Sequence, residues 1–266
     1  MLRMTTAAVA IPVLVAAVWF GSYWFSLIVA VFAAIGALEF CRMAQKRGVE
    51  VEVTVAIIWS VALVVVGYIL SGGLSDVTYL KVLVAIVAFS YLAWQVRFTN
   101  ANVGLTGWIA TASAALYTGG LLFHAPMLRG LDQGREWVFL AVFVTFACDT
   151  TALIVGGIIG KRLLAPVVSP NKTVEGAIGG FLAATLSGFI LSRLLNLDII
   201  LQMAILLGAL MGVAGQLGDL FESWIKRKSD VKDSGWIVLG HGGVLDRMDS
   251  IVFNLVLVYY FVLWVV

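Results

Sequence analysis

Three short stretches of this chain hold residues that could do chemistry. The first is Cys148, Asp149, Thr150 and Thr151; the second runs from Gly215 through Asp219 and Glu222 to Ser223; the third runs from Gly240 and His241 through Asp246 and Arg247 to Asp249. Asp246 and Asp249 lie three residues apart and share one face of a helix, as do Asp219, Glu222 and Ser223, with Lys226 one turn further along the same stripe. Two carboxylates from one helix and at least one from another begin a site for a hard divalent cation. Mg²⁺ takes one or two protein carboxylates and completes its shell with water and phosphate oxygens. The neighbouring Lys226, Arg227, Lys232 and Arg247 suit phosphate better than a proton relay. The chemistry expected of such a set is a metal ion and a polyphosphate.

A fourth segment carries less specific signals. Gly156, Gly157 and Gly160 precede Lys161 and Arg162, followed by Pro166, Ser169, Pro170, Asn171, Lys172, Thr173, Val174, Glu175 and Gly176. The prolines forbid a continuous helix, and Thr173 or Ser169 can cap the helix that follows. Amide hydrogens at that helix start, with Lys172 beside them, could hold a nucleotide phosphate; a capped loop without ligand is the plainer alternative. No GxxxxGK[ST] string occurs, so this is not a Walker A loop. Plainer readings also exist for the other groups. Lys226 to Lys228 can be a topology anchor, Asp149 a structural carboxylate or an ion-pathway residue, and His241 a structural hydrogen-bonder. Glu39, Arg42 and His124 are read as interfacial, and Cys148 as a packing residue.

The elements that must position these groups lie in lipid. Of 266 residues, 62% are apolar and 12% charged, with four prolines, a net charge of +2 and a mean hydropathy of +1.04. That composition excludes an ordinary soluble enzyme, a disordered chain and a nucleic-acid binder. Spans of roughly 20 apolar residues are expected at 5–20, 22–42, 53–72, 76–97, 104–125, 136–159, 175–196, 198–225 and 245–266. The expected fold is therefore all-α, a polytopic membrane protein of nine helices with no soluble domain. Two parts are expected, a scaffold over residues 1–130 and a polar, catalytic part over residues 131–266, together one membrane-embedded unit.

Thirteen of the 17 basic residues fall near one side of that arrangement, and only Lys81, Arg129, Arg135 and Arg193 near the other. The positive-inside rule places the N-terminus and all three clusters toward the cytoplasm, and the C-terminus outside. Glycines in the later spans allow tight helix packing within the bundle or in a homodimer. The two cysteines, Cys41 and Cys148, have no metal or disulfide spacing and are read as reduced thiols.

The C-terminal string resembles the signature of the phosphatidate cytidylyltransferases, or CDP-diacylglycerol synthases. It is matched here by Ser223, Ile225, Lys226, Arg227, Lys232, Asp233, Ser234, Gly235, Ile237, His241, Gly242, Gly243, Val244, Asp246, Arg247 and Asp249, a stretch of 27 positions. Cys148 to Ala152 and Ser169 to Gly176 look like further family motifs. Leu239, Thr151 and Asn171 depart from the residues usual in the family. The resemblance implies the Mg²⁺-dependent reaction of CTP with phosphatidic acid at an inner or plasma membrane. It implies Asp219, Asp246, Lys226, Arg247 and His241 as catalytic residues. Lys172, Ser223, Arg227, Lys232, Asp233, Gly242 and Gly243 would bind substrate, and Asp149, Asp219, Asp246 and Asp249 would hold metal. A cation-coupled transporter, or a CTP-dependent enzyme acting on another lipid phosphate or an isoprenoid, is the competing expectation.

Overall fold

The computed structural model describes residues 12, 15–72, 81, 85, 101–235 and 242–266. Among the described residues, six helices are long and apolar enough to cross a membrane. They are α1 (Ser22–Lys46), α2 (Val53–Leu70), α5 (Gly134–Ile159), α6 (Val174–Leu194), α7 (Leu201–Lys228) and α8 (Leu245–Val265), the first of these counted as a span from Tyr23. Each coincides with an expected span to within a few residues, because length and unbroken hydropathy alone define a spanning helix. The protein is an α-helical membrane protein, and among the described residues there is no soluble domain. The spans expected at 5–20 and 76–97 fall largely or wholly outside the described residues.

The span expected at 104–125 is not one regular helix. Helix α3 (Ala101–Ala115) passes into a π-helical turn, Leu116–Gly120, and after a break at Phe123 the chain continues as the short α4 (His124–Gly130). The π turn coincides with a close contact between distant residues. A side chain at Gly119 would meet the backbone of Ser60, so this turn lies against α2 at backbone distance. The hydroxyls of Ser60 and Thr118 join there at 2.9 Å. His124, expected at an interface, is instead buried, with Nδ1 3.2 Å from the Leu121 carbonyl oxygen and its ring edge-on to Phe123.

The chain divides into two compact units. The first comprises residues 1–130 and 229–245, and in it α1 and α2 pack on each other and on the α3–π–α4 path. The second comprises residues 131–228 and 246–266. In it, α6 lies between α5 and α7, and a two-stranded antiparallel hairpin, β1 (Leu163–Ala165) and β2 (Ser169–Thr173), joins α5 to α6.

Small residues hold the second unit together. Gly176, Gly180, Ala184, Gly188 and Ser192 recur every fourth residue and form the buried face of α6. A Cβ at Gly180 would lie 2.9 Å from the Cys148 carbonyl oxygen, and one at Gly208 would lie 2.7 Å from that of Ala184. Helices approach this closely only through such stripes, which lets backbone pack on backbone without help from the hydrophobic effect. The opposite face of α6 presents exposed Ile178, Leu182 and Leu186, as a lipid-facing surface should.

Candidate active site

In the second unit the helix ends bring most of the expected residues together. Thr173 caps α6, its Oγ1 accepting from the Gly176 amide at 3.1 Å. Glu175 accepts from the amides of Lys161 and Arg162 at 3.0 and 3.2 Å, so the hairpin is fastened to the helix start. That fastening sets Lys172, one residue before the cap. Its Nζ lies 2.6 Å from Oδ2 of Asp219 on α7, while the Ser223 hydroxyl reaches Asp219 Oδ1 at 3.4 Å.

Glycines explain how α8 reaches this point. A side chain at Gly218 would run into the Asp249 carbonyl and the Phe253 ring, and one at Gly215 would meet Asn254 and Ser250. The two glycines flanking Gln216 and Leu217 therefore let α7 and α8 touch where Asp219 and Asp249 sit. Gln216 fastens the third helix, donating to the carbonyls of Gly212 on its own helix and Ala177 on α6.

One turn further, Lys226 Nζ donates to Asp246 Oδ1 at 2.7 Å and stands 3.5 Å from Glu222 Oε1. Lys226 is 8% exposed and Glu222 is fully buried. Lys226 is thus a buried counter-charge between two carboxylates rather than an open clamp. Glu222 has no amide or hydroxyl donor; its carboxyl lies against that of Asp249, with the charges of Lys226 and Asp246 around it. Asp149 on α5 faces the charges of Asp219 and Lys172, and Asp249 those of Asp219 and Asp149. Asp149, Lys172, Asp219, Ser223, Lys226, Asp246 and Asp249 thus share one neighbourhood, with Glu222 as an added member.

Other expected residues are placed elsewhere. Arg227 is exposed and donates from Nε to the Val168 carbonyl at the hairpin turn, 3.2 Å away. Arg247 is exposed on the first turn of α8. Lys232 and Asp233 are exposed within the 229–245 segment of the first unit, to which Gly242 and Gly243 also belong. His241 lies outside the described residues.

Glu39, expected at an interface, is fully buried in α1. Its Oε1 accepts from the Val244 amide at 3.0 Å, and its Oε2 from the Leu245 amide at 3.0 Å and the Ser234 hydroxyl at 3.2 Å. Gly235 and Gly243 lie against this carboxylate so closely that a Cβ on either would clash with it. The position of Glu39, three residues before exposed Arg42, suggests an interfacial anchor. The actual partner is a loop about 200 residues later, which helical periodicity cannot reveal.

The donor chemistry fits a cation of the open type. Among the described residues no three His, Cys, Asp or Glu side chains form a metal cage. Yet Asp219, Asp246 and Asp249 are carboxylates on two touching helices, each with one oxygen held by a lysine or an amide. A Mg²⁺ that draws most of its shell from phosphate and water needs no more than one or two of them.

The family model described as the cytidylyltransferase family matches residues 1–265. A phosphatidate cytidylyltransferase of Bacillus subtilis (strain 168) is 32% identical over 262 residues, covering 97% of this chain and 96% of the relative. One from Staphylococcus haemolyticus (strain JCSC1435) is 32% identical over 256 residues, 95% of each chain. One from Staphylococcus saprophyticus is 42% identical over a shorter stretch of 124 residues, 47% of this chain and 48% of the relative.

Proposed function

The chain belongs to the cytidylyltransferase family, and from that premise we propose that it transfers the cytidylyl group of CTP to phosphatidic acid, releasing pyrophosphate and forming CDP-diacylglycerol. One observation carries the reading: two aspartates of one neighbourhood, Asp219 and Asp246, are each paired with a lysine, Lys172 and Lys226. Such pairs offer a cation to phosphate and an anion to a metal ion at one point.

In the reaction an oxygen of the lipid phosphate bonds to the α-phosphorus of CTP, and the bond from that phosphorus to the β-phosphate oxygen breaks. The attacking phosphate is already anionic near neutral pH, so no strong general base is needed. What the protein supplies is alignment of two mutually repelling anions and neutralisation of their charge. Asp219, Asp246 and Asp249, with Asp149 nearby, would hold Mg²⁺. When bound, that ion would supply neutralisation of the charge that builds up in the transition state. Lys172, standing before a capped helix start, would hold a phosphate of CTP, with Arg247 and Arg227 receiving pyrophosphate. Lys226 would hold Asp246 in place, and Ser223 would orient Asp219. The site faces the cytoplasm, where the basic residues concentrate and where CTP is made. The acyl chains stay in the bilayer.

The deciding experiment uses purified protein in detergent with CTP labelled at the α-phosphate, phosphatidic acid and Mg²⁺. Label should pass to the organic phase, cease with EDTA and return with added Mg²⁺. Absence of extractable label across several divalent cations and phosphatidic acids would refute the assignment.

A further inference from the structure

Glu39 is the most unusual charge in the molecule. It is fully buried in a membrane-spanning helix, where it accepts hydrogen bonds from two backbone amides and a hydroxyl. Burying a carboxylate is costly, and a well-packed apolar residue in its place is often as stable or more so. What a carboxylate adds is direction. One oxygen takes the amide just before α8 and the other takes the amide of its first residue. Both amides are among those a helix start leaves without an internal partner, and the negative charge lies at the positive end of the helix dipole. Gly235 and Gly243 have no side chain because the carboxylate occupies that space. The next residue of the same helix is Asp246, which Lys226 holds at 2.7 Å.

We infer that Glu39 is a positioning residue for the reaction: its carboxylate fixes the backbone of Val244 and Leu245, the two residues that lead directly into Asp246. The inference rests on the function proposed above for Asp246. It deepens that function by extending the machinery to α1, which no motif marks. A small shift of Leu245 is passed directly to its neighbour, and misplacing a reacting group by about 1 Å lowers rates by about 100-fold.

The test compares Glu39→Gln and Ser234→Ala with wild type in detergent. Glu39→Gln keeps the shape but turns an NH₂ toward an amide that needs an acceptor. Its kcat should fall about 10–100-fold with KM for CTP within about twofold and a melting temperature within a few degrees. Wild-type kcat in a folded Glu39→Gln protein overturns the inference, and so does a loss of activity that follows loss of folding in both variants. If Glu39→Gln alone does not fold, Ser234→Ala decides, since it removes a single donor. A several-fold drop in kcat at unchanged KM and melting temperature supports positioning, and unchanged kcat overturns it. Hydrogen exchange of the Val244–Asp249 amides gives a readout independent of turnover. If wild type fails to convert phosphatidic acid, the functional reading falls by itself. The positioning claim then stands or falls on whether Glu39→Gln speeds exchange there by at least about tenfold relative to the rest of α8.

Discussion

Two glutamates, Glu39 and Glu222, are fully buried in membrane-spanning helices, and they are held in opposite ways. Glu39 accepts three hydrogen bonds from two amides and a hydroxyl. Glu222 has no amide or hydroxyl donor and lies between the Asp249 carboxyl and the charge of Lys226 at 3.5 Å. Backbone amides cannot turn away, so the first arrangement is a fixed joint. A lysine has four rotatable bonds, so the second arrangement neutralises charge without fixing direction. Direction at one end of the signature and charge balance at the other are two uses of the same residue type.

The largest effect that sharpens this contrast is chemical. Asp246→Asn should lower turnover by about 1000-fold, the scale on which a preorganised electrostatic partner contributes to a transition state. CDP-diacylglycerol formation under saturating CTP measures it, and wild-type turnover would remove Asp246 from the site. Next comes Lys226→Met, which leaves Asp246 and Glu222 buried without their cation. A loss of about 3–5 kcal/mol is expected for breaking a buried pair from one side. Denaturant or thermal unfolding in detergent reads it, and the double variant Lys226→Met with Glu222→Gln should recover a measurable part. No recovery would mean that Glu222 does not need Lys226.

Gly208→Leu tests the joint between α6 and α7. Overpacking should cost about 1–3 kcal/mol or more, while Leu182→Ala should cost less than 1 kcal/mol because that side chain is 59% exposed. Equal effects would refute the assignment of the two faces. The smallest effect is expected at Thr173→Ala, about 1 kcal/mol for a lost N-cap, with Thr173→Ser restoring most of it. Unfolding midpoints within error for all three proteins would show that the cap is idle.

These regions also differ in how legible they were. Spanning helices declare themselves by length and hydropathy, and each of the six long helices lies where the amino-acid pattern places it. The cap at Thr173 and the concentration of chemistry around Asp219 and Asp246 are likewise local patterns. The hairpin at 163–173 is less legible, since Pro166 and Pro170 mark a break without saying that its flanks pair. The π turn arises because Gly119 must approach Ser60, a contact between distant residues. Glu39 is hardest, because its partners are amides contributed by a loop far along the chain. Amides carry no sequence signature. The one available signal is that a carboxylate two turns inside an apolar span must find donors somewhere.

The four-residue repeat of small residues on α6 has one more consequence. Gly176, Gly180, Ala184 and Gly188 are nearly alike, so sliding α6 by four residues, about 6 Å along its axis, would set one small residue where another had been. A periodic surface of this kind cannot select its own register. The selection falls to the few groups that break the repeat: the cap at Thr173, the Glu175 bonds to Lys161 and Arg162, and the Gln216 bond to the Ala177 carbonyl. These polar groups sit at the Lys172 end, so the helix is indexed from the end that carries the chemistry.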